Sequence, residues 1–433
     1  MITNFFELAT DENSFSEEFE NFLSNRNLST NKVSNLVAEI ISQVRENGDT
    51  ALRTYTKEFD NFETEDFLVT DKEKDLALNH FDSNLMESLE YSFERILSYQ
   101  TKCFESLDLE EIDEEITRKF RVVESIGMYI PGGKASYPST VLMASAPAIA
   151  CGVNNMSITS PAQNGVLDSK LIAAAKIAGV ENIYKIGGAQ AIAALALGTK
   201  QISKVEKIIG PGNVFVAEAK KQLFGEVGID SIAGPSEIIV LADKTSDPET
   251  IAWDLMAQSE HDSDALSILI SDSQEIIEKV QDIINQEIGG LERCSIIQEA
   301  LKSNGLMIKI RDISEAKPII NRLAPEHLHI AFEHQNYKEE NQLIAGLILK
   351  GRDSANSLSD YVLGPSHILP TNSSSRFSSP LSVEDFLVSY SYISLNKNVD
   401  PIKYEEYVKH TISIANAEGL TAHALAAKKR LKN

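Results

Sequence analysis

From Arg121 onward, short apolar runs alternate with helical stretches, and few folds accept that pattern. Val122 to Ile130 reads as a strand that Pro131-Gly132-Gly133 breaks. An alanine-rich helix from Ser139 to Ala150 follows, then a strand over Met156–Thr159 and a helix over Lys170–Ala178. The same alternation gives strands at Asn182–Ile186, Lys207–Ile209, Ile238–Leu241, Leu266–Ile270 and Gly305–Ile310. Helices are expected between them, at Ala189–Leu197, Val214–Phe224, from Pro248 to about Glu260, and at Ser273–Gln286. Apolar strands separated by helices build βαβ units, so the expectation is an α/β fold with mainly parallel sheets.

The flanks differ. Residues 1 to about 110 are acidic and mostly helical in pattern, with apolar spacing over Val33–Arg45 ended by Gly48-Asp49, and again over Leu85–Tyr99. His80, the histidine of this part, reads as structural or exposed. Ser373 to Pro380 is a loop signal, and Val383–Tyr392 and Pro401–Leu431 read as helices and short pieces. The net charge of −24 over 433 residues argues against nucleic acid and against anionic membranes, because phosphate neutralisation needs a basic face. Cys103, Cys151 and Cys294 are far apart and form no CxxC pair. A disulfide framework and a thiolate zinc site are therefore not expected, and a reducing, cytoplasmic setting is. The N-terminus carries no basic region followed by an apolar run, and no stretch reaches the roughly 18 apolar residues of a membrane span.

Three glycine-bearing loops follow predicted strands: Pro131-Gly132-Gly133-Lys134, Gly187-Gly188-Ala189-Gln190 and Gly210-Pro211-Gly212-Asn213. In a parallel sheet such loops lie at the carboxyl ends of strands, where ligands bind. The last opens onto a helix whose free N–H groups would suit a phosphate. None matches GxGxxG, and each alone also reads as a plain turn. Gln258 and His261 lie three apart at the end of a helix that opens on Asp247-Pro248-Glu249. Their amide oxygen and imidazole can grip one cation, or form a cap or surface pair. Glu326-His327 sets a carboxylate beside an imidazole, as acid/base work near neutral pH requires, and as a salt-bridged turn would also do. Asp360 lies in a polar stretch, and Glu418 and His423 lie five apart in an expected tail helix. Two imidazoles, an aspartate and an amide oxygen form a donor set suited to zinc.

Taken together the motifs resemble the histidinol dehydrogenase family. The matching stretches are GMYIPGGKASYPSTVLM (127–143), KIGGAQAIAALALGT (185–199), IIGPGNVFVAEAK (208–220), GIDSIAGPSEIIVLAD (228–243) and DLMAQSEHD (254–262). They continue with LAPEHLHI (323–330), LSDYVLGPSHILPT (358–371), RFSSPLSVEDF (376–386) and AEGLTAHALA (417–426), in the family's order. The first 120 residues match only in general character.

The resemblance implies zinc held by Gln258, His261, Asp360 and His423, with Glu326 and His327 as the catalytic acid/base pair. Ser236, His367 and Glu418 would contact substrate, along with the zinc ligands and His327. Tyr129, Gln190 and Asn213 would contact NAD, one from each glycine loop. The implied reaction takes L-histidinol through L-histidinaldehyde to L-histidine with two NAD. A related oxidation of another small primary alcohol, a cofactor-free zinc hydrolase and a non-catalytic binding protein are the competing readings.

The family also implies two incomplete Rossmann-like doubly wound domains. On this chain they would span 31–120 plus 236–380, with the zinc and catalytic residues, and 121–235, with the NAD contacts. A helical segment (1–30) and a dimerisation tail (381–433) would flank them, the tail completing the site of the other subunit in a homodimer. The chain departs from the family pattern in the polar run Asp353–Ser359 before Asp360, where Pro-Glu and a glycine are usual, and at Ser259 and His329.

Overall fold

The computed structural model describes residues 5–24, 31–107, 115–132, 137–332 and 340–431. Gly133 and Lys134 of the first glycine loop lie outside them. The strands are β1 (Phe6–Ala9), β2 (Ile116–Val122), β3 (Ser125–Tyr129), β4 (Asn155–Ser160), β5 (Asn182–Lys185), β6 (Lys207–Ile209) and β7 (Gly228–Ile229). They continue with β8 (Glu237–Ala242), β9 (Leu266–Ser271), β10 (Gly305–Lys309), β11 (His327–Ile330), β12 (Leu347–Lys350) and β13 (Leu387–Ile393). The chain forms two compact units, residues 1–106 with 122–387, and residues 107–121 with 388–433.

The first unit is α/β, as expected, and holds two wholly parallel sheets. One is five-stranded in the order β5-β4-β3-β6-β7, the other six-stranded in the order β1-β10-β9-β8-β11-β12. Numbered within its own segment, each follows the order 3-2-1-4-5, the doubly wound pattern short of its last strand. The same winding is therefore used twice, a repeat that the spacing of the motifs alone did not reveal.

Both faces of the six-stranded sheet are covered, which explains its continuous apolar strands. In β8, Ile239 and Leu241 join Leu8, Phe19, Ile319 and Ile320 on one face. Ile238, Val240 and Ala242 point the other way, onto Ile251, Leu255 and Ile276. Each fully buried branched side chain contributes about 1.5–3 kcal/mol.

The boundaries differ from those expected. Val122–Ile130 is not one strand: β2 ends at Val122 and β3 starts at Ser125. β1, from the segment assigned to an N-terminal appendage, extends the six-stranded sheet as a parallel edge strand beside β10. Residues 31–69 pack on the five-stranded sheet instead of joining residues 236–380. Val37, Ile40, Ile41, Val44 and Leu52 share a core with the alanine-rich helix Gly188–Leu197. The small side chains of that helix let the covering helices approach closely. Phe67 and Val69 then hydrogen-bond along β5, through Val69 N–H to Ile183 O (2.8 Å) and Lys185 N–H to Phe67 O (2.8 Å).

In the second unit β2 pairs with β13, so Val383–Tyr392 is not helical beyond a short 3-10 turn at Val383–Phe386. The tail is two helices, Pro401–Ala417 and Thr421–Lys429, parted at Gly419 (φ 75°). Glu115 ties the unit together by accepting from Lys403 Nζ (3.0 Å) and Tyr407 Oη (3.1 Å). Among the described residues no helix is long and apolar enough to cross a membrane.

Phe67 is fully buried where residues 31–69 meet the five-stranded sheet. Phe67→Ala should cost about 3–5 kcal/mol of stability, read as a lowered midpoint in urea unfolding at unchanged slope; an unchanged midpoint would mean the segment is not docked this way.

Candidate active site

The glycine loops gather at the carboxyl ends of β3, β5 and β6. Tyr129 ends β3 and is buried, and its hydroxyl accepts the Gly188 N–H at 3.2 Å. Burial pushes that phenol up to about 12, with the Gly188 N–H opposing and the charge of Asp60 adding to it. Gly210, at φ 110°, presses on Tyr129 so closely that a Cβ there would lie 2.1 Å from the Tyr129 carbonyl oxygen. Both peptide groups of Gly210 are clamped: its N–H donates to Asp230 Oδ2 (2.7 Å) and its carbonyl accepts from Lys220 Nζ (2.7 Å). Lys220 and Asp230 form an ion pair at 2.5 Å with side chains only 2% and 5% exposed.

The expectation of free N–H groups beyond this loop is corrected by Asn213. Its Oδ1 accepts from Phe215 N–H (3.1 Å) and Val216 N–H (3.2 Å), capping the helix Val214–Leu223 from within. Gln190, on the helix Gly188–Leu197, is 1% exposed, and its Oε1 has no hydrogen-bond partner among the described residues. Asp60 was not singled out in the sequence. It caps the end of the helix Asp49–Phe59, and its carboxylate takes a backbone hydrogen bond from Gly187. Burial pushes its pKa up to about 6 against that bond.

The acid/base candidates lie on the other sheet, at the amino ends of β8 and β11. These neighbouring strands are the point where the winding reverses. Glu237 and Glu326 exchange hydrogen bonds: Glu237 N–H donates to Glu326 Oε2 (2.8 Å) and Glu326 N–H to Glu237 Oε2 (3.3 Å). His327 Nδ1 lies 3.1 Å from the Glu237 carbonyl oxygen, which can only accept, so Nδ1 carries the proton. Nε2 is left buried without a hydrogen-bond partner among the described residues, 3.7 Å from Asp360 Oδ1. Glu326 Oε2 lies 3.6 Å from Nδ1. Burial raises the Glu326 carboxyl well above the ordinary carboxylate range, and the neighbouring His327 opposes it. In His327 burial favours the neutral ring, but Glu326, Asp360 and the Glu237 carbonyl outweigh it and raise the pKa. Ser236, just before β8, accepts the Leu266 N–H through its carbonyl.

Gln258 is buried near the end of the helix Pro248–Ser259. That helix ends at Ser259, within a residue of the expected end, and His261 follows its cap at Glu260 with its N–H on the Gln258 carbonyl at 3.3 Å. Burial lowers the His261 pKa, and Asp360 opposes. The polar run before Asp360 forms a short helix, Asn356–Tyr361. Its Asn356, missed in the sequence, links two candidates by donating from Nδ2 to Gln258 Oε1 (3.2 Å) and Asp360 Oδ2 (3.4 Å). His367 Nδ1 donates to the Asp360 carbonyl (2.9 Å), and its Nε2 meets Thr140 Oγ1 at 3.3 Å. The unusual His329 is a structural link. Its two nitrogens face only acceptors, Asp254 Oδ2 (2.7 Å) and the Gly351 carbonyl (2.9 Å), so both carry protons. Ser259 meets Ser267 Oγ at 2.8 Å in the core.

The structure thus brings Gln258, His261, Asp360, His327, Glu326 and His367 together in the first unit. Glu418 and His423 belong to the second unit, exposed and on either side of the helix break instead of in one helix. Among the described residues no three His, Cys, Asp or Glu converge tightly enough to hold a metal ion by themselves. Gln258, His261 and Asp360 still suit a zinc ion that takes a further ligand. Gln258 Nε2 and Asn356 Oδ1 are both buried and, among the described residues, unpartnered. Half-turns of both amides exchange the Asn356-to-Gln258 bond for one from Gln258 Nε2 to Asn356 Oδ1 and bring Gln258 Oε1 to the unpartnered position, free to act as a ligand.

Comparison with known proteins agrees with this architecture. The family model described as Histidinol dehydrogenase matches residues 23–431. A histidinol dehydrogenase of Oceanobacillus iheyensis is 44% identical over 400 residues, 92% of this chain and 93% of that protein. One from Trichormus variabilis is 38% identical over 428 residues, covering 98% of each. The crystal structure of histidinol dehydrogenase from Elizabethkingia anophelis superposes with a TM-score of 0.91 at 32% identity, over 99% of this chain and 98% of that one. With two sheets wound alike and this likeness running almost end to end, the chain belongs to the histidinol dehydrogenase family, a family of oxidoreductases.

Proposed function

We propose that this protein oxidises L-histidinol through L-histidinaldehyde to L-histidine, the last two steps of histidine biosynthesis, using two NAD and one zinc ion. The observation that carries the reading is His327. Its ring is held by Nδ1–H on the Glu237 carbonyl with Glu326 Oε2 3.6 Å from that nitrogen, while Nε2 stands buried, 3.7 Å from Asp360 Oδ1 and without a hydrogen-bond partner among the described residues. When bound, zinc would orient the amino alcohol through its amine and imidazole nitrogens, and NAD would accept each hydride.

His327 Nε2 takes the hydroxyl proton as hydride leaves the adjoining carbon, giving aldehyde, one NADH and one proton. Water then adds to the aldehyde carbon. Glu326, whose raised pKa suits proton exchange near neutral pH, takes a proton from that water. Loss of a second hydride from the hydrated aldehyde gives the carboxylic acid and a second NADH, four electrons in all. Gln258, His261, Asp360 and His423 would hold zinc. Ser236, His367 and Glu418 would bind substrate, and Tyr129, Gln190 and Asn213 would hold NAD.

Glu418 and His423 would act on the site of a second copy in a homodimer. Supporting this, the second unit exposes much apolar surface, including Tyr390, Tyr392, Val399, Ile402 and Ile414.

The first test is NADH formed per L-histidinol consumed. Two NADH are expected, abolished by a chelator and restored by zinc; one NADH with free aldehyde would remove the second oxidation, and none would mean a different alcohol. His261→Asn should lose zinc, measured by metal analysis, and nearly all turnover, with its circular dichroism spectrum unchanged; wild-type metal content would take His261 out of the ligand set. His327→Ala should keep zinc but lose about 10²–10⁴-fold in rate in both steps. Unchanged single-turnover rates would remove His327 from proton transfer.

A further inference from the structure

Asp60 has a role that none of the residues so far assigned accounts for. Its carboxylate accepts the Gly187 N–H, but Oδ2 is buried and finds no hydrogen-bond partner among the described residues. An acceptor with a negative charge is costly to leave bare away from water, so it is kept only where another demand holds it. Gln190 Oε1 is a second bare acceptor at the same loop, on a side chain that is 1% exposed. It folds back over Gly188, where a Cβ would come within 2.7 Å of it. Two acceptors therefore bracket the Gly187–Gly188 turn at the carboxyl end of β5. Tyr129, whose hydroxyl is tied to Gly188 N–H, stands beside them.

Such a place repels phosphate, because a carboxylate already occupies the start of the helix Gly188–Leu197. It suits a neutral group that brings adjacent O–H donors, and a dinucleotide offers one in the cis-diol of a ribose. We propose that Asp60 is a further cofactor-contacting residue, with Oδ2 accepting a hydrogen bond from a ribose hydroxyl of the dinucleotide. The inference rests on the NAD reading above. In dinucleotide folds with the glycine fingerprint, the ribose-binding acid comes from within the same βαβ unit. Here it comes from a helix more than a hundred residues earlier than the loop it meets, where no local motif marks it.

Either ribose of the dinucleotide supplies this chemistry, and NADP tells them apart. If Asp60 holds the adenosine ribose, the 2′-phosphate of NADP meets its carboxylate.

The experiment is calorimetric titration of NAD and NADP into the full-length protein and its Asp60→Asn and Asp60→Ser variants. Steady-state kinetics and thermal unfolding accompany it. Both variants should bind NAD about 10- to 100-fold more weakly, with the NAD KM raised, the L-histidinol KM unchanged and the melting temperature kept. A gap between NAD and NADP that narrows in the variants places Asp60 on the adenosine ribose; equal weakening of both places it on the nicotinamide ribose. NAD bound by both variants as tightly as by wild type overturns the proposal and leaves the NAD reading intact. So does a loss that follows a lowered melting temperature and raises both KM values alike. Wild-type protein that binds no NAD removes the cofactor reading itself, and this inference with it.

Discussion

The exchange between Glu237 and Glu326 is the constraint on which the candidate site depends. Two carboxylates are brought together out of water, which is tolerable because each accepts a backbone N–H from the other's residue. The exchange sets the amino ends of β8 and β11 side by side, and the Glu237 carbonyl then faces the ring of His327. One peptide segment thereby fixes the orientation of two side chains and the tautomer of one. Had β11 paired elsewhere in the sheet, Glu326 would be a buried carboxylate without donors and His327 would have no fixed ring.

A second constraint serves the other sheet. The chain around Gly210 approaches Tyr129 too closely for any side chain, and the buried Lys220–Asp230 pair grips both of its peptide groups. A buried ion pair adds little to stability on balance, but losing one partner leaves the other charge stranded. It therefore holds one loop conformation firmly. Gly210 packs on Tyr129, and Tyr129 takes the Gly188 N–H, so the ends of three separate strands are joined side by side.

Much of this was legible along the chain. Strand–helix alternation from residue 121 announced the parallel sheets, because burial on both faces demands uninterrupted apolar strands. The glycine loops after β3, β5 and β6 were visible for the same kind of reason, since close approach and positive φ admit little else. Where local pattern and tertiary demand differ, the reading slipped. Val383–Tyr392 became mainly strand against β2, and Glu418 and His423 fall on either side of a helix break. Periodicity over a few residues cannot see the partner strand or the left-handed glycine that decides such endings.

The sequence by itself determined the fold class, the family motifs and the identity of the polar side chains at the site, because these depend on residue type and short spacing. Which residues meet across the fold was decided only by the tertiary structure. Asp60 reaches Gly187, Asn356 joins Gln258 to Asp360, Thr140 meets His367, and residues 31–69 cover the five-stranded sheet instead of the other. Each of these depends on how helices far apart in the chain pack against a sheet, and an apolar stripe or a lone acid carries no address for its partner.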